Sequence, residues 1–249
     1  MIKWIELEDQ PWFPSYFRTM QTDFIGWLVH LVGLYQPVAI IVENALGKLK
    51  EKSIVDLCSG NGLAIVSAIK DVPEDKLTVV YLSDKYPSFT VPENVRVKWM
   101  AGPVDVLKPE TLPAGLRTIF NAYHHFSEEQ AQVLLDVNAK EGLLICEILE
   151  PTFFNMIKIF FTTTVVQFLT CFFVKPFRLD RIFFTCILPV NLITVTWDGI
   201  VSVLKSRRAI DIEKSLIDHL GKEYNVTCGS YRKMLTKVNW FLISPVQIR

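Results

Sequence analysis

The sequence predicts an α/β fold built on a mostly parallel sheet, and two observations carry that expectation. Short runs rich in aliphatic and β-branched residues recur at Ser53–Leu57, Leu77–Leu82, Val95–Met100, Arg117–Ala122 and Gly142–Leu149, with helical stretches between them. Such alternation is the signature of strands joined by crossover helices. The first of these strands also leads directly into a glycine-containing turn, Cys58-Ser-Gly-Asn-Gly62, that opens a helix.

The elements follow in order. Two apolar helical patterns open the chain, about Tyr16–Leu34 and, after the break at Pro37, Gln36–Lys50. Pro37 suits a first helical turn, where its missing N–H is not needed. Residues 1–50 therefore read as an N-terminal helical cap on one domain spanning 1–249. After the first strand, Ala64–Lys70 is a short helix. Ser127-Glu-Glu-Gln130 is a capping box that opens a helix to about Ala139. The end of the chain reads as a helix Ile210–Leu220 stopped by Gly221, then strands Tyr224–Cys228 and Val238–Ile243.

Bulk composition bounds the function. Twenty-six basic residues balance twenty-six acidic ones, so no global field favours nucleic acid. The N-terminal residues show no basic segment followed by an apolar core, which points to the cytoplasm. Five cysteines lack C-x-x-C spacing and lie in or beside apolar runs, as buried reduced thiols do. The four histidines lack ligand spacing, so no metal site is expected. His30 and His219 sit in amphipathic helical patterns and read as surface or packing residues.

The glycine turn points to a nucleotide-like ligand. Gly60 and Gly62 permit a tight turn and close backbone approach, and the helix that follows presents free N–H groups. Asp84 ends the next strand, twenty-two positions after Gly62, where a carboxylate can accept hydrogen bonds from ribose hydroxyls. Nicotinamide and adenosylmethionine cofactors both carry such hydroxyls. Asp56 separates them, because a carboxylate at the strand end is a poor neighbour for a pyrophosphate and a reasonable one for a cationic sulfonium ligand with an amino group. Ile65 also stands where a dinucleotide fingerprint has its third glycine. A bland reading remains open at this point: Asp56 caps the turn, and the glycines belong to an ordinary loop.

With those residues in view, Asp56-Leu-Cys-Ser-Gly-Asn-Gly62 resembles motif I of the class I S-adenosylmethionine-dependent methyltransferases, with Cys58 in place of the first glycine. The resemblance implies a Rossmann-like class I methyltransferase fold: a seven-stranded, mostly parallel sheet flanked by helices, its last strand reversed, with a hydrophobic helical insertion after strand 5. It implies S-adenosyl-L-methionine as cofactor, held by Asp56, Cys58, Ser59, Gly60, Asn61 and Gly62, by Asp84 and Lys85 at the ribose, by Asp105 at the adenine edge, and by Asn121. A narrower resemblance, to a bacterial group within this superfamily, rests on Asp9-Gln-Pro-Trp-Phe-Pro14, Asp56-Leu-Cys-Ser-Gly60, Phe120-Asn-Ala-Tyr-His-His-Phe126 and Trp197-Asp-Gly-Ile-Val-Ser202. After the last motif, Leu204-Lys-Ser-Arg207 departs from that group's Leu-Arg-Thr-Tyr.

Methyl transfer needs alignment of the nucleophile and, for some acceptors, a base. His124 and His125 are the candidates, since they follow the fourth strand, whose C-terminal end faces the ligand crevice of an open α/β sheet. Histidine as a residue type titrates near neutrality. The alternative is that they only shape the loop. Tyr123, Glu150, Trp197 and Asp198 are candidate acceptor contacts. Glu147, inside an apolar strand, needs a partner if buried. Asp198 and Gly199 either fold over the acceptor or form a tight turn.

The insertion, 151–204, holds two uncharged sixteen-residue runs, Ile159–Val174 and Ile182–Trp197, each short of the roughly twenty residues of a spanning helix. The runs form either a buried lid or a monotopic hairpin, with Lys158, Lys175, Arg178 and Arg181 near head groups; the latter places the chain at the inner face of the membrane. The many phenylalanines favour a small apolar or lipid-like acceptor or a lipid surface. Two rival readings stand beside methyl transfer: a membrane-associated, non-catalytic protein that keeps the fold, and a nicotinamide-dependent oxidoreductase.

Overall fold

The computed structural model describes residues 4–88, 94–108 and 112–246. It divides into two compact units: Val29–Ile148 with Ala209–Arg249, and Met1–Leu28 with Leu149–Arg208.

The first unit carries the sheet. Its strands are β1 (Ser53–Leu57), β2 (Val79–Ser83), β3 (Val97–Trp99), β4 (Leu116–Phe120), β5 (Leu143–Glu147), β6 (Tyr224–Lys233) and β7 (Thr236–Pro245), in the order β3-β2-β1-β4-β5-β7-β6. The first five are parallel, and β7 runs antiparallel to both neighbours. Every residue of β1, β4 and β5 is buried, as central parallel strands covered on both faces require.

Side chains of a strand alternate between faces. Ile54, Leu116, Phe120 and Leu144 pack on one side with helices α2 (Ala39–Leu46) and α3 (Leu63–Ala68). Val55, Leu57, Ile119 and Ile145 pack on the other with α4 (Glu128–Asn138) and Ile212 and Leu216 of a C-terminal helix (Ala209–Leu220). The capping box at the start of α4 forms in full: the Gln130 amide donates to Ser127 Oγ, and the Ser127 amide donates to the Gln130 side chain. Pro37 lies in the first turn of a 3-10 segment, Gln36–Val38, and α2 ends at Leu46 rather than at Lys50.

The C-terminal hairpin is longer than its sequence suggests, with ten residues in each strand. At Gly229, opposite Trp240, a Cβ would lie 2.5 Å from the indole, so the glycine makes room for the cross-strand ring. The strand expected at Tyr224–Cys228 runs on through Gly229 to Lys233.

The second unit is helical. Here α1 (Ser15–Leu31) contributes its residues up to Leu28. Phe153–Thr170 forms one helix, α5 (Phe153–Phe161), a π-helical turn (Thr162–Val166) and a last turn, α6 (Gln167–Thr170). It begins six residues before the uncharged run, capped by Thr152 Oγ1, which accepts from the Asn155 amide at 3.2 Å. Lys158 lies inside it, which is why counting uncharged residues underestimates its length. The second run divides instead into α7 (Leu179–Ile182) with a π turn (Phe183–Ile187), then α8 (Val190–Lys205), bent by 77° at the break beside Pro189. Asp198 and Gly199 are therefore inside α8 and form neither a turn nor a loop.

Candidate functional site: a loop cluster at the ends of β1, β2 and β4

Strand order reverses between β1 and β4, the switch point where open α/β sheets bind ligands beyond the carboxyl ends of their strands. Asp56 sits there, paired in register with Thr118. Its side chain is buried, and Thr118 Oγ1 donates to Asp56 Oδ1 at 2.6 Å. Burial pushes the Asp56 pKa up to about 7, against the hydrogen bonds from Thr118 and Ser59, and the nearby Asp84 adds to the rise. The Asp56 carbonyl is held by the hydroxyls of Ser59 at 2.8 Å and Ser83 at 2.9 Å.

The loop 58–62 is built from left-handed residues. Cys58, Gly60 and Gly62 have φ of 55°, 58° and 77°. Cys58 stands where the family's motif has glycine and still adopts the conformation glycine favours, at a cost of about 1 kcal/mol or somewhat more. The loop is closed on the next strand: the Gly60 amide donates to Asp84 Oδ2 at 2.9 Å, and the Ser59 amide to the Ser83 carbonyl at 3.0 Å. The second Asp84 oxygen accepts the Tyr86 amide at 2.8 Å. Asn61 Oδ1 accepts from Leu63 N at 3.1 Å, a local turn just ahead of α3, whose N-cap position is Gly62.

Other predicted residues take distinct places. Lys85 is exposed, its Nζ 6.0 Å from the Tyr86 ring centre. The carbonyl of Asp84 accepts from Val104, which ties the segment holding Asp105 to the same strand end. Asp105 itself accepts from Leu107 N and lies 3.6 Å from Lys108. Asn121, past the end of β4, has φ 51° and donates its amide to the Cys146 carbonyl at 2.7 Å. Its Oδ1 is buried without a hydrogen-bond partner, the kind of atom a ligand satisfies.

Glu147 has the partners its burial demands. One oxygen accepts the Tyr123 amide at 2.6 Å, and the other lies 2.9 Å from His124 Nδ1. With Glu147 ionised, a carboxylate that only accepts, His124 Nδ1–H is the donor of this contact and Nε2 is the ring nitrogen it leaves unused. The His125 ring lies 4.5 Å from that of His124, centre to centre. Three further residues around the site, Thr118, Ser83 and Tyr35, carry no motif in the sequence that singles them out as a group. Tyr35 is wholly buried with its ring 4.8 Å from Phe120, and its hydroxyl has no partner. Burial, then the acidic groups of Cys146 and Glu147, push its pKa well above the ordinary tyrosine value. Only Ser83 carries a signal, as the small polar residue directly before the strand-end acid.

Glu150, Trp197 and Asp198 belong to the helical unit. There Asp198 accepts from Leu7 N at 2.6 Å, Glu8 N at 3.0 Å and Gln21 Nε2 at 2.8 Å, and Trp197 Nε1 donates to the Ile5 carbonyl. These bonds fasten the N-terminal segment to α8 within that unit.

No protein-family model matches the sequence, and no curated protein matches it by sequence. Among solved structures, the plantazolicin methyltransferase BpumL in complex with SAH superposes with a TM-score of 0.52 at 9% identity, over 93% of this chain and 96% of that one. The methyltransferase domain of bacterial CtHen1-C gives 0.48 at 12% identity, over 85% and 99%. An O-methyltransferase family protein from Burkholderia thailandensis gives 0.44 at 13%, over 87% of this chain and 58% of that one. With its seven-stranded mixed sheet, flanking helices and apolar helix after β5, the chain has the Rossmann-like fold of the class I methyltransferases.

Proposed function

We propose that the chain is an S-adenosylmethionine-dependent methyltransferase acting on a small apolar or lipid-like acceptor. The observation that carries this reading is the pairing of a glycine loop closed on Asp84 with a buried carboxylate, Asp56, at the switch point. The residues fit the cofactor: the orphaned Asn121 Oδ1 and the left-handed loop leave polar atoms and close backbone to receive it.

When bound, S-adenosylmethionine supplies a methyl group activated by a sulfonium. Asp56 offers negative charge to the ligand's cationic end, and Ser59, Gly60, Asn61 and Gly62 present their backbone, with Cys58 shaping the turn. Asp84 accepts from the ribose hydroxyls, with Lys85 beside it, and Asp105 meets the adenine edge. His124 holds its Nδ1 proton on Glu147 and takes the acceptor's proton at Nε2, with the tilted His125 ring 4.5 Å from its own, centre to centre. Tyr123, next to His124 in the sheet unit, is the acceptor contact of this reading. Membrane contact through 151–204 belongs to the same reading, because an acceptor dissolved in lipid is reached from a lipid surface.

The test is transfer of labelled methyl from S-adenosylmethionine to a lipid extract. Product in the organic phase that disappears in a His124→Gln variant supports the reading. Cofactor binding without turnover on lipid or small apolar acceptors favours a non-catalytic protein of this fold.

A further inference from the structure

The helical unit buries a small apolar cluster, Phe24, Val174 and Val195, but its longest apolar helix has its polarity reversed relative to a water-soluble bundle. Of the helix Phe153–Thr170 only 11% is buried, and the two buried residues are polar, Thr163 and Gln167. Phe153, Phe154, Phe160 and Phe161 are each more than half exposed. The next segments repeat the pattern: α7 buries Arg181 and its π turn buries Thr185, while Phe183, Ile187 and Leu188 are exposed. On α8 the buried Asn191, Thr194, Asp198 and Ser202 recur at helical spacing and make an inward polar stripe, beside the buried Val195, Val201 and Val203.

The inward groups bond among themselves. Arg181 and Asp23, both almost fully buried, pair at 2.6 Å, and Arg181 Nη1 also donates to the carbonyls of Val174 and Pro176. Asn191 Nδ2 donates to Thr185 Oγ1 at 3.0 Å, and Thr196 Oγ1 donates to the Thr163 carbonyl at 3.3 Å. Helices α5 and α8 meet where Gly199 lies so close that a Cβ would come within 2.7 Å of Ile159 Cγ2 and 3.4 Å of Thr163 Cγ2. Small residues and polar contacts between helices, with the large apolar side chains outside, are the packing of helices in lipid, where burying apolar surface gains nothing.

We infer that the helical unit inserts into the hydrocarbon layer of a lipid bilayer, as an inside-out bundle rather than a lid over a soluble site. Water would drive the phenylalanines inward. A protein groove would cover a stripe of about 100° on each helix, whereas the exposed apolar residues of Phe153–Thr170 cover roughly half its circumference. At about 1.5 Å per residue its 18 residues reach about 27 Å, close to the roughly 30 Å of a hydrocarbon core. This deepens the membrane contact of the proposed function and does not depend on methyl transfer.

The test uses the full chain purified in detergent and mixed with vesicles of phosphatidylcholine alone, with S-adenosylhomocysteine binding measured on the same preparations. Flotation with these uncharged vesicles that survives high salt and alkaline carbonate is the expected result. The triple variant Phe160→Ser, Phe161→Ser, Phe168→Ser, at exposed positions, should lose flotation and keep cofactor binding. A wild-type chain that stays in solution without detergent, as monomer or as a dimer hiding this face, and does not float overturns the inference. Loss of cofactor binding with flotation intact strikes the methyltransferase reading alone.

Discussion

Thr118 donates to Asp56 across the seam between β1 and β4, at 2.6 Å, within a fully buried environment. That one bond joins the two strands at which the sheet order reverses, and it orients the carboxylate on which the cofactor reading depends.

The raised pKa of Asp56 makes the stability of the ligand-free protein depend on pH. The folded chain keeps this proton up to about 7, whereas the unfolded chain releases it near 3.8. The contribution is therefore fully present below the unfolded value and is lost as pH rises through about 7, by about 4 kcal/mol at most. Urea unfolding at several pH values should show this fall in wild type and a flatter profile in Asp56→Asn. Identical profiles would contradict the assignment.

A cationic ligand beside Asp56 should lower that pKa and release the proton. S-adenosylmethionine binding is then expected to tighten as pH rises through about 7 and to release a fraction of a proton near neutrality. Calorimetry in two buffers of different ionisation enthalpy reads this directly. Equal heats in the two buffers would show that Asp56 does not face the ligand's charge.

Glu147 is expected to act through His124 by fixing its tautomer. Glu147→Gln should lower kcat by about tenfold or more and shift the pH profile of turnover, with little change in S-adenosylhomocysteine affinity. Glu147→Leu should in addition destabilise the fold by about 1–3 kcal/mol, because the buried Tyr123 amide loses its acceptor. A Gln variant with unchanged turnover and profile would reduce Glu147 to a loop anchor.

Gly199 is expected to tolerate no larger side chain. Gly199→Val should cost about 1–3 kcal/mol in the helical unit, since its Cβ position already lies 2.7 Å from Ile159 Cγ2. Pairing it with Ile159→Ala should recover part of the loss. A fully stable single variant would mean that α5 and α8 are free to separate.

The sheet was legible because its signals are local. Hydrophobic runs mark the central strands, Ser127 and Gln130 mark a helix start, and a glycine turn directly after β1 marks the loop proposed to hold the cofactor. What escaped was long-range or inverted. Thr118 reaches Asp56 over sixty-two positions, and Tyr35 reaches Phe120 with no motif on either. In the helix Phe153–Thr170 the buried residues are polar and the large apolar ones are exposed. Lys158 looks like a helix end and is inside the helix, and Asp198 looks like a loop residue and is the inward anchor of α8.

The most direct test of the methyltransferase site is calorimetric titration of the wild-type chain and of Asp84→Ala with S-adenosylhomocysteine, each confirmed folded by circular dichroism. Asp84 closes the loop on the Gly60 amide and is assigned to the ribose, so wild type should bind and the variant should bind at least tenfold more weakly. A well-folded wild-type chain that shows no binding, or a variant that binds as tightly as wild type, would contradict that assignment.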